Sequence, residues 1–570
     1  MKLRPFTSPI KGRFLLASSL CLALLLVGTA SYFFGARVES RKQAALVLPR
    51  FAPLPTHAPI PDQPEVTQVD IAGWSALTKS DQIPQNDCPA FTAESLASEN
   101  LKPTPILTMA TFREIPTTKN PASALWLNQS SVMCDSTVAV HAALPFEQQE
   151  KGSSRERKIV AIRIGWYGGA GGREVWSSPL IKLKTQKMYQ PTSNLRMIET
   201  RWPVTLKMKI GRDWTPGFYI IATENKFGQI ENYAPLILRS PLGSSSVALI
   251  HSTLTWQAYN EYGDRSLYRG PGLTRAETSD ERSRVASFDR PYAGSGSLLI
   301  RRDALPIVQL AESKGILLDN FADTDLSEYP ALTKSYNELV FSGHPEYWTQ
   351  EMFTNVIAAR NSGVNLAFFG GNTAYWRARV EPSSQGPNRH VVVYRNARQD
   401  PVTDPHQVSI KFTAPGVNQP GALLDGGFTS GIGVSGSLSP VHTPSWLGVA
   451  PTTVLEGFSK WTETESPRMG DKATPADIHI LFQGKFTSSS AAGVSRAFNS
   501  KNGIGTTFWF PSTSGAATFN AGVNLWVCNL EKSCPLSSTT EATTSALQTI
   551  TANVIAILSH RDAGVALSRN

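Results

Sequence analysis

The chain has 570 residues, 41% hydrophobic and only 17% charged, which excludes global disorder and allows about two to four packed domains. Its formal charge of +9 is concentrated at one end: residues 1–42 hold seven Lys/Arg against one acid, Glu39, so only +3 is left for residues 43–570. That remainder is no footprint for nucleic acid, and no nucleic-acid partner is expected.

Residues 14–36, FLLASSLCLALLLVGTASYFFGA, are 23 uncharged residues behind four cations. A helix of that length spans a hydrocarbon core, with the N-terminus held in the cytoplasm. Residues 1–42 therefore read as a cytoplasmic tail and membrane anchor, and the body as periplasmic on a single inner-membrane pass. The alternative is secretion after signal cleavage near Ala30. Apolar residues run on to Ala36, which favours the anchor. Beyond Cys21, the cysteines are Cys88, Cys134, Cys528 and Cys534. An even number in an exported region points to disulfides. Cys88–Cys134 with Cys528–Cys534 is the simplest of the three pairings.

Residues 43–100 begin proline-rich and read as a spacer. Residues 101–242 read as a β-sandwich: KIVAIRIGWYGG (158–169) and RWPVTLKMKI (201–210) alternate, and GFYIIATEN (217–225) follows a Pro-Gly turn. The glycines of GWYGGAGG lack the Walker spacing and read as a turn or bulge. Residues 243–570 read as α/β. Apolar runs at 246–252, 337–343 and 364–371 alternate with helical patterns at 305–315 and 349–363, the second bounded by Thr349 and Gly363. That order implies a mostly parallel sheet. Strands at 505–512 and 516–527 and a closing helix at 540–561 follow. Residues 378–500 read as a β-rich insertion.

Ligands of an open α/β sheet bind beyond the carboxyl ends of its strands. Three strand ends run into TWQAYNEYGDRSLY (255–268), HPEYW (344–348) and GGNTAYW (370–376). If these strands are neighbours, Tyr259, Tyr262, Tyr268, His344, Glu346 and Asn372 meet at one edge. A cysteine nucleophile is excluded, since none lies between Cys134 and Cys528. GVSGS (433–437) is not a serine elbow. The nine histidines are scattered without zinc spacing. The carboxylate and phenols that remain suit a hard ion such as ferric iron.

At these residues the sequence resembles the large (beta) subunit family of N,N-dimethylformamidase. The likeness rests on TWQAYNEYGDRSLY, SFDRPY (287–292), DLSEYPALTKSYNELVFSGHPEYWTQEM (325–352), GVNLAFFGGNTAYWR (363–377) and ATFNAGVNLW (517–526). It implies an amidotransferase-like α/β domain behind an Ig-like β-sandwich. It also implies hydrolysis of a small amide or formamide-like C–N bond, with a mononuclear Fe(III) held by two tyrosines and a glutamate. By residue, it implies Glu346, Tyr259 and Tyr292 as metal ligands, His344 as catalytic and Asn372 as substrate-binding. The second glutamate of the family is open among Glu456, Glu463, Glu465 and Glu531. Export departs from that family's soluble enzyme. Two rival readings stay open: a non-catalytic periplasmic binding or envelope protein, and a metal-free glycan hydrolase pairing Glu346 with Asp264 or Asp289. A homo-oligomer is compatible with all three.

Overall fold

The computed structural model describes residues 88–102, 121–145, 155–187, 194–270, 281–414, 417, 427–467, 477–488, 502–532, 534 and 536–569. The expected membrane helix at 14–36 and the proline-rich run at 43–66 lie outside these residues. Among the described residues no helix is long and apolar enough to cross a membrane. The end of the expected spacer holds helix Ala93–Leu101, capped by Thr92, whose hydroxyl accepts from Ser95 N–H at 3.2 Å. Cys88 is bonded to Cys134 and Cys528 to Cys534, the pairing that proximity implied.

The chain between 124 and 238 forms β1 (Ala124–Leu127), β2 (Ser131–Val132), β3 (Thr137–Pro145), β4 (Glu156–Ile164), β5 (Gly172–Ser177), β6 (Ile181–Lys182), β7 (Thr185–Gln186), β8 (Leu206–Lys209), β9 (Gly217–Asn225) and β10 (Ile230–Leu238). One sheet runs β1-β3-β7 with β8 on β3; the other runs β2-β10-β9-β4-β5 with β6 on β4. Leu125, Val138 and Val140 of the first sheet share a core with Ile159, Ile221 and Leu236 of the second. The alternating sequence of β4 implies one wet face, yet Ile159, Val160, Ala161 and Ile162 are all buried. Helix Leu305–Ser313 packs on this strand. Its Glu312 meets the buried Arg163 at 2.7 Å and accepts from Trp166 N–H at 2.9 Å. Removing one partner of such a buried pair costs about 3–5 kcal/mol. The glycine cluster is a turn, Tyr167–Gly169, that returns the chain into β5.

The second half adds β11 (Val247–His251), β12 (Val285–Ser287), β13 (Asp319–Ala322), β14 (Glu338–Gly343), β15 (Tyr347–Trp348), β16 (Asn365–Gly370), β17 (Trp376–Arg377), β18 (Arg379–Ser383), β19 (Gly386–Val392), β20 (Gly427–Pro440), β21 (Leu455–Ser466), β22 (His479–Ser488), β23 (Gly503–Pro511) and β24 (Ala517–Asn520). Nine of these form one sheet in the order β13-β11-β14-β16-β24-β23-β22-β20-β21. From β13 to β24 the neighbours are parallel; from there outward they are antiparallel. The sheet is therefore mixed, not mostly parallel. Residues 427–488, read as an insertion, extend it. Hairpins need no crossover helix, so these strands carry no helical signal that would mark them as part of an α/β sheet. Strand β13 escapes sequence reading because its Asp319 and Asn320 are polar, although both are buried.

Helices Leu305–Ser313, Gln350–Asn361 and Glu541–Leu558 fall where periodicity placed them. Thr349 caps the second, accepting from Met352 N–H at 3.2 Å. Phe341 of β14 stacks on Phe368 of β16 at 4.8 Å and lies 5.1 Å from Trp348. Each such aromatic pair adds about 0.5–1.5 kcal/mol beyond its buried area.

One acid opposes this core. Glu338 is fully buried at the start of β14, and neither carboxylate oxygen has a hydrogen-bond partner among the described residues. Burial pushes its carboxyl well above its ordinary value of 4.5. The folded state therefore favours the protonated acid. That contribution is complete below pH ~4.5 and is lost as pH rises toward the folded value, at about 1.4 kcal/mol per pH unit. Glu338→Gln should match the wild type in thermal melts at pH 4 and melt several degrees higher at pH 8; equal melting at both would show that the carboxyl has a partner.

Candidate functional site

Strand order places the site. β11 connects to β13 on one side, and the chain then crosses to β14 on the other. The crevice beyond the carboxyl ends at such a reversal is where open sheets bind ligands. β11 leads into the short helix Thr253–Ala258 and then Tyr259. The next loop doubles back, with Leu267 N–H bonding the Ala258 carbonyl at 3.0 Å. That bond sets Tyr268 beside Tyr259, ring centroids 4.4 Å apart.

At the end of β14, Gly343 adopts φ +73°, and a Cβ there would lie 2.1 Å from Asp303 Cγ. Next door, a Cβ on Gly370 would lie 1.7 Å from the Gly343 carbonyl oxygen. Only glycines permit this approach. It brings the His344–Glu346 tip against the Asn372 tip, where Tyr375 and Trp376 N–H both bond the Glu346 carbonyl at 3.0 Å. Thr255 Oγ1 accepts the Glu346 N–H at 3.0 Å, so the first tip is fixed as well.

The carboxylate of Glu346 is the focus. Tyr259 donates to Oε2 at 2.8 Å and Tyr268 to Oε1 at 2.5 Å. His344 Nδ1–H donates to the Gly371 carbonyl at 2.9 Å. Its Nε2 then faces Glu346 Oε2 at 3.2 Å, Tyr259 Oη at 3.1 Å and Glu463 Oε2 at 3.8 Å. Glu463, on β21, takes a hydrogen bond from Asn372 Nδ2 at 2.9 Å and is held from behind, its N–H on Asn524 Oδ1 at 2.9 Å. Glu465 instead ties down the Asn372 tip, accepting from Thr373 N–H at 2.7 Å and Asn520 Nδ2 at 3.1 Å. The Asn372 Oδ1 is buried with no partner among the described residues.

The charges are strongly coupled. Burial pulls His344 down, but the carboxylates of Glu463 and Glu346 outweigh it and push it up to about 9. Burial pushes Glu463 up to about 7, with Glu346 adding to it against His344. Burial also works against an ionised Glu346, yet hydrogen bonds led by His344 hold it below the usual carboxylate range. Both phenols are pushed well up, first by burial and then by the Glu346 charge.

The structure thus gathers Tyr259, Tyr268, His344, Glu346 and Asn372 as expected, but Tyr262, expected with them, packs edge-on to Trp202, centroids 6.3 Å apart. Nor does the structure bring Tyr292 to them. Among the described residues the Tyr292 hydroxyl is buried without a partner, its ring belongs to the core shared with the first two sheets, and its carbonyl accepts from Asn232 Nδ2 at 2.8 Å. Tyr268 stands on Glu346 instead; its signal was its place in the same strand-end cluster as Tyr259. Of the four later glutamates, Glu463 reaches His344. Asp289 is remote from Glu346 in its bonding: it pairs with Arg389 at 2.8 Å and accepts from Ser383 at 2.5 Å. With Glu199 and His390 it forms a second acid–histidine group whose ligand atoms lie within 4.8 Å of one another, and Arg389 is already paired with its Asp289.

The chain matches the model of the family described as N,N-dimethylformamidase beta subunit-like, C-terminal, over residues 158–539. It belongs to that family. The match takes in most of the sandwich, the sheet and every residue of the site. No curated protein shows a significant match to the chain.

The close approach of the two tips is testable by one methyl group. Gly343→Ala should lower stability by roughly 3 kcal/mol or more, from strain plus overpacking. Gly315→Ala, at φ +70° with nothing within 4 Å of a Cβ, should lose only about 1–2 kcal/mol. Equal losses in chemical denaturation would show that Asp303 does not confine the turn.

Proposed function

We propose that the protein is an amidohydrolase that cleaves a C–N bond of a small amide or formamide-like compound with one Fe(III) held by Tyr259, Tyr268 and Glu346. The observation that carries this is the convergence of two tyrosine hydroxyls on the two oxygens of one buried carboxylate. Three hard oxygen donors, two phenols and one carboxylate, converge there, with His344 beside the carboxylate. A trivalent cation fits that set better than a soft-ligand metal does. Bound there, it would supply Lewis-acid polarisation of the amide carbonyl and acidify a nearby water.

The chain's own residues supply the rest. Glu463, buried beside His344 and held by Asn372, takes the proton from the attacking water. His344, as the imidazolium, donates from Nε2–H to the oxygen that gains charge, and its Nδ1–H bond to Gly371 fixes the ring. Asn372 holds Glu463 through Nδ2 and offers its unpartnered Oδ1 to an amide N–H of the substrate. The leaving amine recovers its proton from Glu463.

The two sheets before residue 240 are taken as an Ig-like sandwich and the nine-stranded sheet as an amidotransferase-like domain. We place both outside the cytoplasm, anchored by residues 14–36. The two disulfides support an oxidising compartment. Protease added to spheroplasts should digest the body of the full-length chain; protection until lysis would put it in the cytoplasm.

Iron content and turnover separate the roles. Tyr268→Phe and Glu346→Gln should purify without iron, while Tyr292→Phe keeps about one iron per chain. Glu463→Gln should keep its iron and lose roughly 100- to 10,000-fold in kcat on formamides, the range of a lost general base. An iron-loaded Tyr268→Phe protein would overturn the ligand assignment.

A further inference from the structure

Arg395 follows β19 and lies against the outer side of the site. Its backbone is left-handed, φ +63°, which is rare for a long side chain and persists only where surroundings enforce it. Here the enforcement is visible. Its N–H bonds the Ser409 carbonyl at 2.8 Å, and its guanidinium is inserted between two rings, with Cζ 4.2 Å from the centroid of Tyr268 and 4.6 Å from that of Trp376. One terminal nitrogen donates to Tyr347 Oη at 2.5 Å. Tyr347 in turn meets Tyr268 edge to face, centroids 6.3 Å apart.

No carboxylate lies within ion-pair distance of Arg395 among the described residues, and its Nε is buried without a partner. A guanidinium so placed is expensive unless a nearby group answers its charge. Besides Tyr347 Oη, the face of Tyr268 answers it, and the hydroxyl of that ring rests on Glu346. The paired tyrosine differs: among the described residues no arginine or lysine lies over the ring of Tyr259, and His344 meets it edge to face.

We propose that Arg395 is a positioning residue that clamps the Tyr268 ring and sets how much charge its oxygen gives to a cation bound with Tyr259 and Glu346. This rests on the iron reading above. A fixed positive charge over the ring stabilises its filled π orbitals. In a ferric tyrosinate the visible band moves an electron from those orbitals to the metal, so the cation raises the energy of that transition. The two tyrosines are then unequal donors, and only the one under Arg395 responds to its loss.

The test is the visible absorption spectrum of the ferric protein, with iron affinity measured by competition against a chelator. Arg395→Gln should shift the tyrosinate band to longer wavelength and weaken iron binding about 10- to 100-fold, the usual effect of losing a group that orients a ligand. Arg395→Lys keeps the charge without the planar stacking, and its band should lie between the two. A role in packing alone would lower the melting temperature and leave the band in place. If Arg395→Gln does not fold, Tyr347→Phe, which frees the guanidinium from its hydroxyl anchor, should give a smaller shift of the same sign. A band in Arg395→Gln coincident with that of the wild type overturns this proposal and leaves the iron reading intact. A wild-type protein with no iron and no band overturns both.

Discussion

Two neighbouring parallel strands end in glycines whose side-chain space is already taken, by Asp303 at Gly343 and by the Gly343 carbonyl at Gly370. A methyl group on Gly370 would fall 1.7 Å from the carbonyl oxygen of Gly343. This contact forces the chains that leave β14 and β16 to run side by side, and the backbone of one tip bonds the backbone of the other through the Glu346 carbonyl. His344, Glu346 and Asn372 are thereby presented from rigid strand ends and not from free loops. Tyr259 and Tyr268 enter from the neighbouring β11, and Glu463 from the far edge of the same sheet. A looser contact at the glycines would separate the carboxylate from the residues it bonds.

The site is rich in acid for a buried place. Glu346, Glu463 and Glu465 are all nearly inaccessible, and the protein answers them differently. Glu465 is spent on backbone and amide donors, which makes it a fastener of the Asn372 tip. Glu463 shares one histidine and one amide. Glu346 receives two phenols and the same histidine. Such an arrangement is a poor way to stabilise a fold, since buried charge is seldom recovered in full. It would keep the proposed iron site preorganised. The contrast with Glu199, Asp289 and His390 is instructive: there an arginine is already in place, and the group reads as a structural ion cluster.

The sandwich and the sheet are welded to each other by the same kinds of contact that build the site. Arg163 reaches Glu312 across the junction, Arg239 reaches Asp325 at 2.7 Å, and Asn232 bonds the carbonyl of Tyr292. Tyr292 therefore has a reason to be where it is that involves no metal: it closes the seam between the two halves. The family match spans this seam, which is what a single folding unit with a shared core requires.

Much of this was legible along the chain. The apolar runs that became β11, β14 and β16, the helices between them, the cap at Thr349 and the His344–Glu346 pair are local features, set by periodicity, spacing and adjacency. The family could be recognised from the same short stretches. The rest depends on partners far apart in sequence. Whether Tyr268 or Tyr292 faces Glu346 is decided by one backbone bond, Leu267 to Ala258, that folds a loop back on itself. Which of four glutamates reaches His344 is decided by hydrogen-bonding β21 into a sheet whose outer strands give no α/β pattern. Sequence alone determined which elements form and what chemistry their ends carry, because side-chain period and turn residues act over a few positions. The tertiary structure alone decided which of those ends meet, because strand order and the clearance at two glycines are properties of the packed sheet.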